Sequence, residues 1–159
     1  MTQGVTQHHS VDFHDTFSPI AKHTTVCMVI FVAVTRDSYS SRLCLQAFKT
    51  FYVLKHAPRV WYSKLKNFLL GYGFLMTHSD HCLFVYHQHG VLIYLLVYVD
   101  DLIITGCAQA AVESYIKALG TKFSIKDFGS LGYFLGVQVI RSDSGLFLSQ
   151  RKYLSLIHI

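Results

Sequence analysis

From Val91 to Gly106 the chain reads VLIYLLVYVDDLIITG, two long apolar runs that meet at a pair of adjacent aspartates. Uninterrupted runs of this kind read as buried strands, and two of them joined at a tight polar pinch read as a hairpin. Bare carboxylates are costly to bury. Asp100 and Asp101 are therefore expected at the mouth of a sheet, where hydroxyls, amides or a metal satisfy them. A hard divalent cation serving a phosphate substrate is the use that fits such a pair.

The 159 residues suffice for one domain around a single core. With 52% apolar residues, among them 12 Phe and 10 Tyr, the chain is of a folding type. Only 14% is charged, which is low for a self-contained soluble surface and points to a piece of a larger protein or to poor folding in isolation. A formal charge of +5 suits a polyanionic partner, yet no dense Lys/Arg run is present, so charge favours nucleic acid only slightly. Cys27, Cys44, Cys82 and Cys107 show no close spacing and follow no signal peptide. Reduced thiols, a cytoplasmic or nuclear setting and no disulfide-linked partner are expected. His78, His81 and Cys82, with His87 and His89 beyond, are too irregular for a structural zinc site. The apolar runs at 24–34 and 91–99 fall short of the roughly 20 residues of a spanning helix, so no membrane association is expected.

Along the chain, residues 1–19 read as an extended lead-in. Thr24 or Thr25 suits the cap of a helix over Val26–Val34, apolar on all sides and so calling for burial on every face; a strand is the alternative for the same stretch. Residues 35–47 lose all pattern: Thr35–Ser41 is loop-like, and the sequence resumes awkwardly at Arg42-Leu43-Cys44-Leu45. Pro58 suits the first turn of a helix to about Leu70, with Trp61, Leu65, Phe68 and Leu69 on one stripe, read as core rather than as base-stacking platforms, and Gly71 as its stop. A meander follows: Cys82–Tyr86, a turn at His87–Gly90, Val91–Tyr98, the aspartates and Leu102–Thr105. Ala108–Leu119 reads as an amphipathic helix with Val112, Tyr115, Ile116 and Leu119 inward and Gly120 at its end. A short strand is expected within Phe123–Phe128, and a hairpin around Ser142-Asp143-Ser144-Gly145. A last helix begins near Gln150.

Five ordered segments carry a family resemblance: LKHAPRVWYSKL (54–65), GYGFLMTHSDHCLFVY (71–86), LLVYVDDLIITG (95–106), KFSIKDFGSLGYFLGVQV (122–139) and GLFLSQRKYL (145–154). Together with the lead-in at 2–26, they resemble reverse transcriptases, RNA-directed DNA polymerases, of copia-type LTR retrotransposons. The resemblance implies an α+β fold, a partial right-hand polymerase palm with an antiparallel sheet backed by helices, fragments of fingers and the start of a thumb. It divides the chain into a fingers-like lead-in and helix (1–34), a deletion junction (35–53), a palm-like core (54–139) and a truncated connection toward the thumb (140–159).

The same resemblance implies Mg2+ as cofactor and template-primer nucleic acid and dNTP as partners. Asp100 becomes a direct metal ligand, with Asp101 as a supporting carboxylate, and Tyr98 a neighbour of the primer terminus. Lys55 and Arg59, which bracket Pro58 at a helix start, read either as contacts to template or primer phosphates or as a solvated helix end. Lys126 belongs to the rim of the site together with Asp127, and Phe134, Leu135 and Gly136 to a turn like the primer grip. One element is missing or damaged. The family supplies a further catalytic carboxylate from a segment like LDVNNAF, upstream of Pro58. Either Leu43–Phe48 is its remnant, with Cys44 where aspartate belongs, or the chain has jumped across it. Cysteine is a soft donor, poorly matched to Mg2+. Cys27 also departs from the family, standing where arginine is common, and Val53 and Gly132 replace a usual glycine and lysine. The expected function is thus a remnant polymerase domain without catalysis. A non-catalytic nucleic-acid-binding module and an active polymerase completed by a partner chain are the alternatives.

Overall fold

The computed structural model describes residues 19–35, 40–46, 57–99, 101–123, 125–127, 129, 132–134, 137–142 and 145–149. Among them lie α1 (His23–Thr35), β1 (Ser40–Gln46), α2 (Ala57–Gly71), β2 (Leu75–Met76), β3 (Leu83–Gln88), β4 (Val91–Tyr98), β5 (Asp101–Gly106), α3 (Gln109–Phe123), β6 (Lys126–Asp127), β7 (Tyr133–Phe134), β8 (Val137–Ser142) and β9 (Gly145–Ser149). Six strands form one antiparallel sheet in the order β2-β3-β4-β5-β1-β6, and β7-β8-β9 form a second. The result is a mixed α+β fold, with helices on both faces of the larger sheet.

The alternation of side chains along each strand divides this sheet into two cores. Ile93, Leu95 and Val97 of β4 and Leu102 and Ile104 of β5 meet Trp61, Leu65 and Leu69 of α2 and Val112 and Leu119 of α3. Leu96 and Ile103 face the other way, onto Val26, Val29, Ile30 and Ala33 of α1 and onto Phe134 and Val139 of the second sheet. Trp61 thus lies in the core and is buried, while Phe68 is half-buried with its ring 5.3 Å from Phe123. Gly106 brings α3 close to the sheet: a Cβ there would lie 2.9 Å from Leu92 O and 3.0 Å from Val112 Cγ2.

Several boundaries differ from the sequence expectations, each for a local reason. Within the patternless 35–47 stretch, residues 40–46 form β1, overlapping the loop-like segment at Ser40 and Ser41, because a strand partner far along the chain, β5, accepts its ladder. The α2 helix is stopped by Gly73 rather than Gly71. Gly73 has φ +94°, its N–H reaches Leu70 O at 3.1 Å, and the Phe74 N–H reaches Leu69 O at 3.0 Å, the paired bonds of a Schellman end. Gly120 lies inside α3, which runs on to Phe123, and among the described residues of the expected 123–128 strand it is Lys126–Asp127 that pair. The helix at 23–35 is present, but it does not bury every face: Met28 and Phe31 remain 44% and 64% exposed. The β8–β9 hairpin closes with Ser142 opposite Gly145, as expected, and the expected helix near Gln150 lies outside the described residues.

Asp80 fastens α1 to the sheet. Only 5% exposed, it accepts the Lys22 N–H on Oδ2 at 2.8 Å and the Cys82 N–H on Oδ1 at 2.9 Å, and it bonds the Thr25 side chain. The Lys22 amide is at the start of α1, where N–H groups have no partner within the helix, so Asp80 caps it from across the fold. Thr77 Oγ1 donates to Asp80 O at 2.7 Å and holds the loop in place. Burial alone would raise the carboxyl's pKa. The bonds from Thr25 and the Lys22 and Cys82 amides outweigh it and hold the carboxyl below its ordinary value. Burial, then the neighbouring Asp80 charge, push the Cys82 thiol up to about 12, so it remains a protonated core group.

Asp80→Ala, which strips these donors of their acceptor, is expected to cost about 1–3 kcal/mol in urea denaturation. With the folded pKa depressed, the carboxylate's contribution is complete above its unfolded pKa of about 3.9 and is lost as pH falls through the folded value. The difference in stability between wild type and Asp80→Asn should therefore narrow on acidification. A gap that stays constant down to the acid limit would show that the charge contributes nothing.

Candidate functional site

The β4–β5 ladder ends with Tyr98 opposite Asp101, which leaves a two-residue connection at Val99 and Asp100. Asp100 itself lies outside the described residues. Two-residue hairpins favour Asn or Gly because their central residues need positive φ. Val99 has φ +55°, a left-handed conformation that a β-branched side chain resists. Such strain costs on the order of 1–3 kcal/mol and is concentrated at functional sites.

The register continues across the sheet. Tyr98 on β4 pairs with Asp101 on β5, Asp101 with Gln46 on β1, and Gln46 with Lys126 on β6. Directly opposed residues share a face, so these four positions form one row at the hairpin end of the sheet. With strands about 4.8 Å apart, Asp101 and Lys126 stand about 10 Å from each other along the row. The ladder between β1 and β5 is irregular just before this point: Leu43 pairs with Ile103 and Leu45 with Leu102, so Cys44 is the extra residue of a bulge. Phe134, buried, presents its ring to Tyr98 edge-on at 6.3 Å and closes the face beside the row.

The structure thus gathers Tyr98, Asp101, Lys126 and Phe134, which the sequence spreads over 37 positions. Arg59 is exposed in the first turn of α2, in the helix layer that covers the opposite face. Lys55, Leu135 and Gly136 lie outside the described residues. Gln46 is the member of the row that sequence reasoning passed over. Its only signal is the brief alternation of Leu43 and Leu45, two positions long.

The profile of a family described as "Reverse transcriptase (RNA-dependent DNA polymerase)" matches residues 36–158. The chain is 36% identical to the retrovirus-related Pol polyprotein from transposon RE1 of Arabidopsis thaliana over 186 residues, 97% of this chain and 13% of that protein. It is 35% identical to the corresponding polyprotein from transposon RE2 of the same plant, over 96% of this chain and 13% of that protein. It is 28% identical to that from transposon TNT 1-94 of Nicotiana tabacum, over 99% of this chain and 14% of that protein. The chain belongs to the copia-type reverse transcriptase family. It spans about 13% of the length of these polyproteins. No solved structure matches it.

The alignments to these reverse transcriptases are longer than the chain they cover. The RE1 match runs over 186 positions, whereas 97% of 159 residues is about 154, so roughly thirty positions of the relative have no counterpart here. The matches to RE2 and TNT 1-94 leave gaps of similar size. Along the row the described residues differ in their donor chemistry. Asp101 contributes a carboxylate, but its ladder partner is the neutral Gln46, the bulge residue is the soft Cys44, and beyond them stands the cation Lys126. Among the described residues no three His, Cys, Asp or Glu side chains could hold a metal together.

Because Val99 carries the strain at the hairpin, Val99→Gly is expected to raise stability by about 1 kcal/mol in urea denaturation. An unchanged or lower midpoint would mean that the turn relaxes at no cost.

Proposed function

We propose that this chain is a palm-type reverse transcriptase domain that retains the hairpin of its active site but has lost catalysis, leaving a surface for template-primer nucleic acid. The observation that carries this reading is the row Tyr98–Asp101–Gln46–Lys126, in which the strand beside the aspartate hairpin offers no carboxylate. The roughly thirty absent positions support it, since a catalytic segment like LDVNNAF is what the family would place upstream of α2. In this reading Asp100 and Asp101 are what remains of the metal site. Tyr98, packed on Phe134, is the floor under the primer terminus. Lys126 supplies a positive charge at the far end of the row for phosphate oxygens. Lys55 and Arg59 contact the backbone of the template or primer, and Leu135-Gly136 continue the turn that steers the strand.

In an intact enzyme of this kind Mg2+ supplies the charge that stabilises the transferring phosphoryl group. In this reading the remaining donors no longer hold it. What the chain's own residues do is bind and orient a polyanion. A phosphoryl-transfer site that loses several kcal/mol of electrostatic stabilisation slows by a factor of ten for every 1.36 kcal/mol. Packing elsewhere does not restore it.

Purified protein, shown by circular dichroism to be folded, is expected to give no primer extension on an RNA template with Mg2+ or Mn2+. Extension that vanishes in Asp100→Asn would refute the proposed loss of catalysis and demand another carboxylate. Binding to template-primer is expected to weaken steeply with salt, as phosphate contacts require; salt-independent binding, or none, would remove the nucleic-acid surface. Gln46→Asp sets a carboxylate directly across the ladder from Asp101, so its affinity for Mn2+ should rise at least tenfold over wild type in a calorimetric titration. No change would contradict the row as the metal site.

A further inference from the structure

The β8–β9 hairpin of the second sheet leaves an apolar pair uncovered. Ile140 of β8 and Phe147 of β9 stand directly opposite each other, and both are exposed, Phe147 to 58%. Val139, one position away on β8, is buried in the core shared with α1. Strand alternation thus puts the Ile140–Phe147 pair on the outer face. β9 is also the last strand of its sheet, in the order β7-β8-β9. The hairpin closes on Ser142 opposite Gly145, so that pair is a hydrogen-bonded one, and Ile140–Phe147 and Gln138–Ser149 follow with the same parity. Leu146 and Leu148 therefore direct their N–H and C=O groups away from β8, to a side on which no described strand lies. Strand edges are commonly guarded by a charge or a proline. β9, Gly145-Leu146-Phe147-Leu148-Ser149, carries neither.

We propose that β9 pairs with β9 of a second copy of this chain, antiparallel about a two-fold axis at Phe147, to form a reversible homodimer. The edge is its own complement. In that register Leu146 faces Leu148 of the second copy and Leu148 faces Leu146, so each outward N–H meets an outward C=O across the axis. Phe147 meets Phe147 of the second copy at the non-hydrogen-bonded position, where opposed Cα atoms come closest, about 4.5 Å apart. The exposed pair then becomes an unbroken apolar row, Ile140 and Phe147 of one copy followed by Phe147 and Ile140 of the other. Because the strand bears no charge, two copies meet without like-charge repulsion. The contact is isologous, so it closes at two copies. Five residues from each copy form a small interface beside the roughly 1,200–2,000 Å² of a stable one, so the copies separate on dilution. The pairing uses neither the aspartate hairpin nor the row beside it and is independent of the function proposed above.

Sedimentation velocity of the full chain under reducing conditions, over about a hundredfold range of concentration, tests this by mass action. A monomer–dimer equilibrium is expected. Phe147→Lys sets two ammonium groups face to face on the axis and should weaken the dimer at least tenfold. Leu75→Lys, at an exposed apolar position on the edge strand of the larger sheet, should leave it unchanged. A second measurement does not depend on how the lysine variant folds. In a Cys27→Ser background, Phe147→Cys should give a disulfide-linked dimer on mild oxidation, since the opposed Cα spacing lies within disulfide reach. Ile140→Cys in the same background should not, because three strand spacings separate the two copies of that position by about 14 Å. A chain that stays monomeric at every concentration, whether its own chain covers β9 or the edge serves a different partner, would overturn the proposal. So would a dimer that Phe147→Lys leaves intact, or cross-linking as efficient at Ile140→Cys as at Phe147→Cys.

Discussion

The hydrogen-bonded ladders on both sides of β5 are the constraint on which the rest of the protein depends. β5 is the strand that joins the β2-β3-β4 meander to β1 and β6. Every residue from Leu102 to Gly106 is buried. Leu102 and Ile104 anchor the layer of α2 and α3, while Ile103 anchors α1 and, with Phe134 and Val139, the second sheet. A strand so placed cannot slip by one residue, because the shift would exchange the two cores and turn every contact to the wrong face. The Thr105 hydroxyl, buried with no hydrogen-bond partner among the described residues, is a small cost the strand bears for that position.

That fixed register also determines what can stand beside the aspartates. Asp101 is the first residue of β5, half-buried at the edge of a strand that is otherwise fully covered. Its neighbours across the ladder are therefore set by the core rather than by the hairpin's own chemistry. Tyr98 stands on one side and Gln46 on the other because Leu96 must meet Ile103 and Leu45 must meet Leu102. The strain at Val99 follows from the same geometry. One ladder closed tightly up to Tyr98 and Asp101 leaves only two residues to reverse the chain, and valine must adopt a conformation better suited to glycine.

What could be read from the sequence divides along the same physical line. The β3-β4-β5 meander, α2, α3 and the β8–β9 hairpin were legible because each has an internal pattern, apolar run or turn signature long enough to stand alone. β1 was not: Ser40–Gln46 has little pattern of its own and owes its strand to β5, some sixty residues away. Gly71 and Gly120 misled because glycine marks a helix end only where the backbone turns left-handed, and it is Gly73 that does so. The burial of α1 on every face was expected from an apolar composition, but composition does not count neighbours, and the helix has them on one side. Asp80 carried its signal in Thr77-His78-Ser79-Asp80, a turn-forming cluster, though nothing local revealed that its carboxylate caps a helix that ends 45 residues earlier. At the hairpin, Tyr98-Val99-Asp100-Asp101 stands out as a motif in the sequence, whereas the row that joins Tyr98 and Asp101 to Lys126 exists only in the assembled sheet.

On the proposed reading, the contrast between a preserved fold and an incomplete site follows from what each requires. A sheet edge recognises backbone, not side chains: any extended segment with free N–H and C=O groups can complete the ladder, and a bulge absorbs a mismatch of one residue. β1 meets that requirement with Ser40–Gln46, and Cys44 takes up the mismatch. Core packing is similarly tolerant of apolar residues of suitable volume. A metal site is not. It needs oxygen donors of the right charge at particular positions, and a neutral amide at 46 satisfies the ladder while contributing no charge to the site. On the reading proposed for this chain, loss of roughly thirty positions was therefore compatible with a closed sheet. Hydrogen bonding and burial accept a substitute strand, whereas the electrostatics of phosphoryl transfer do not.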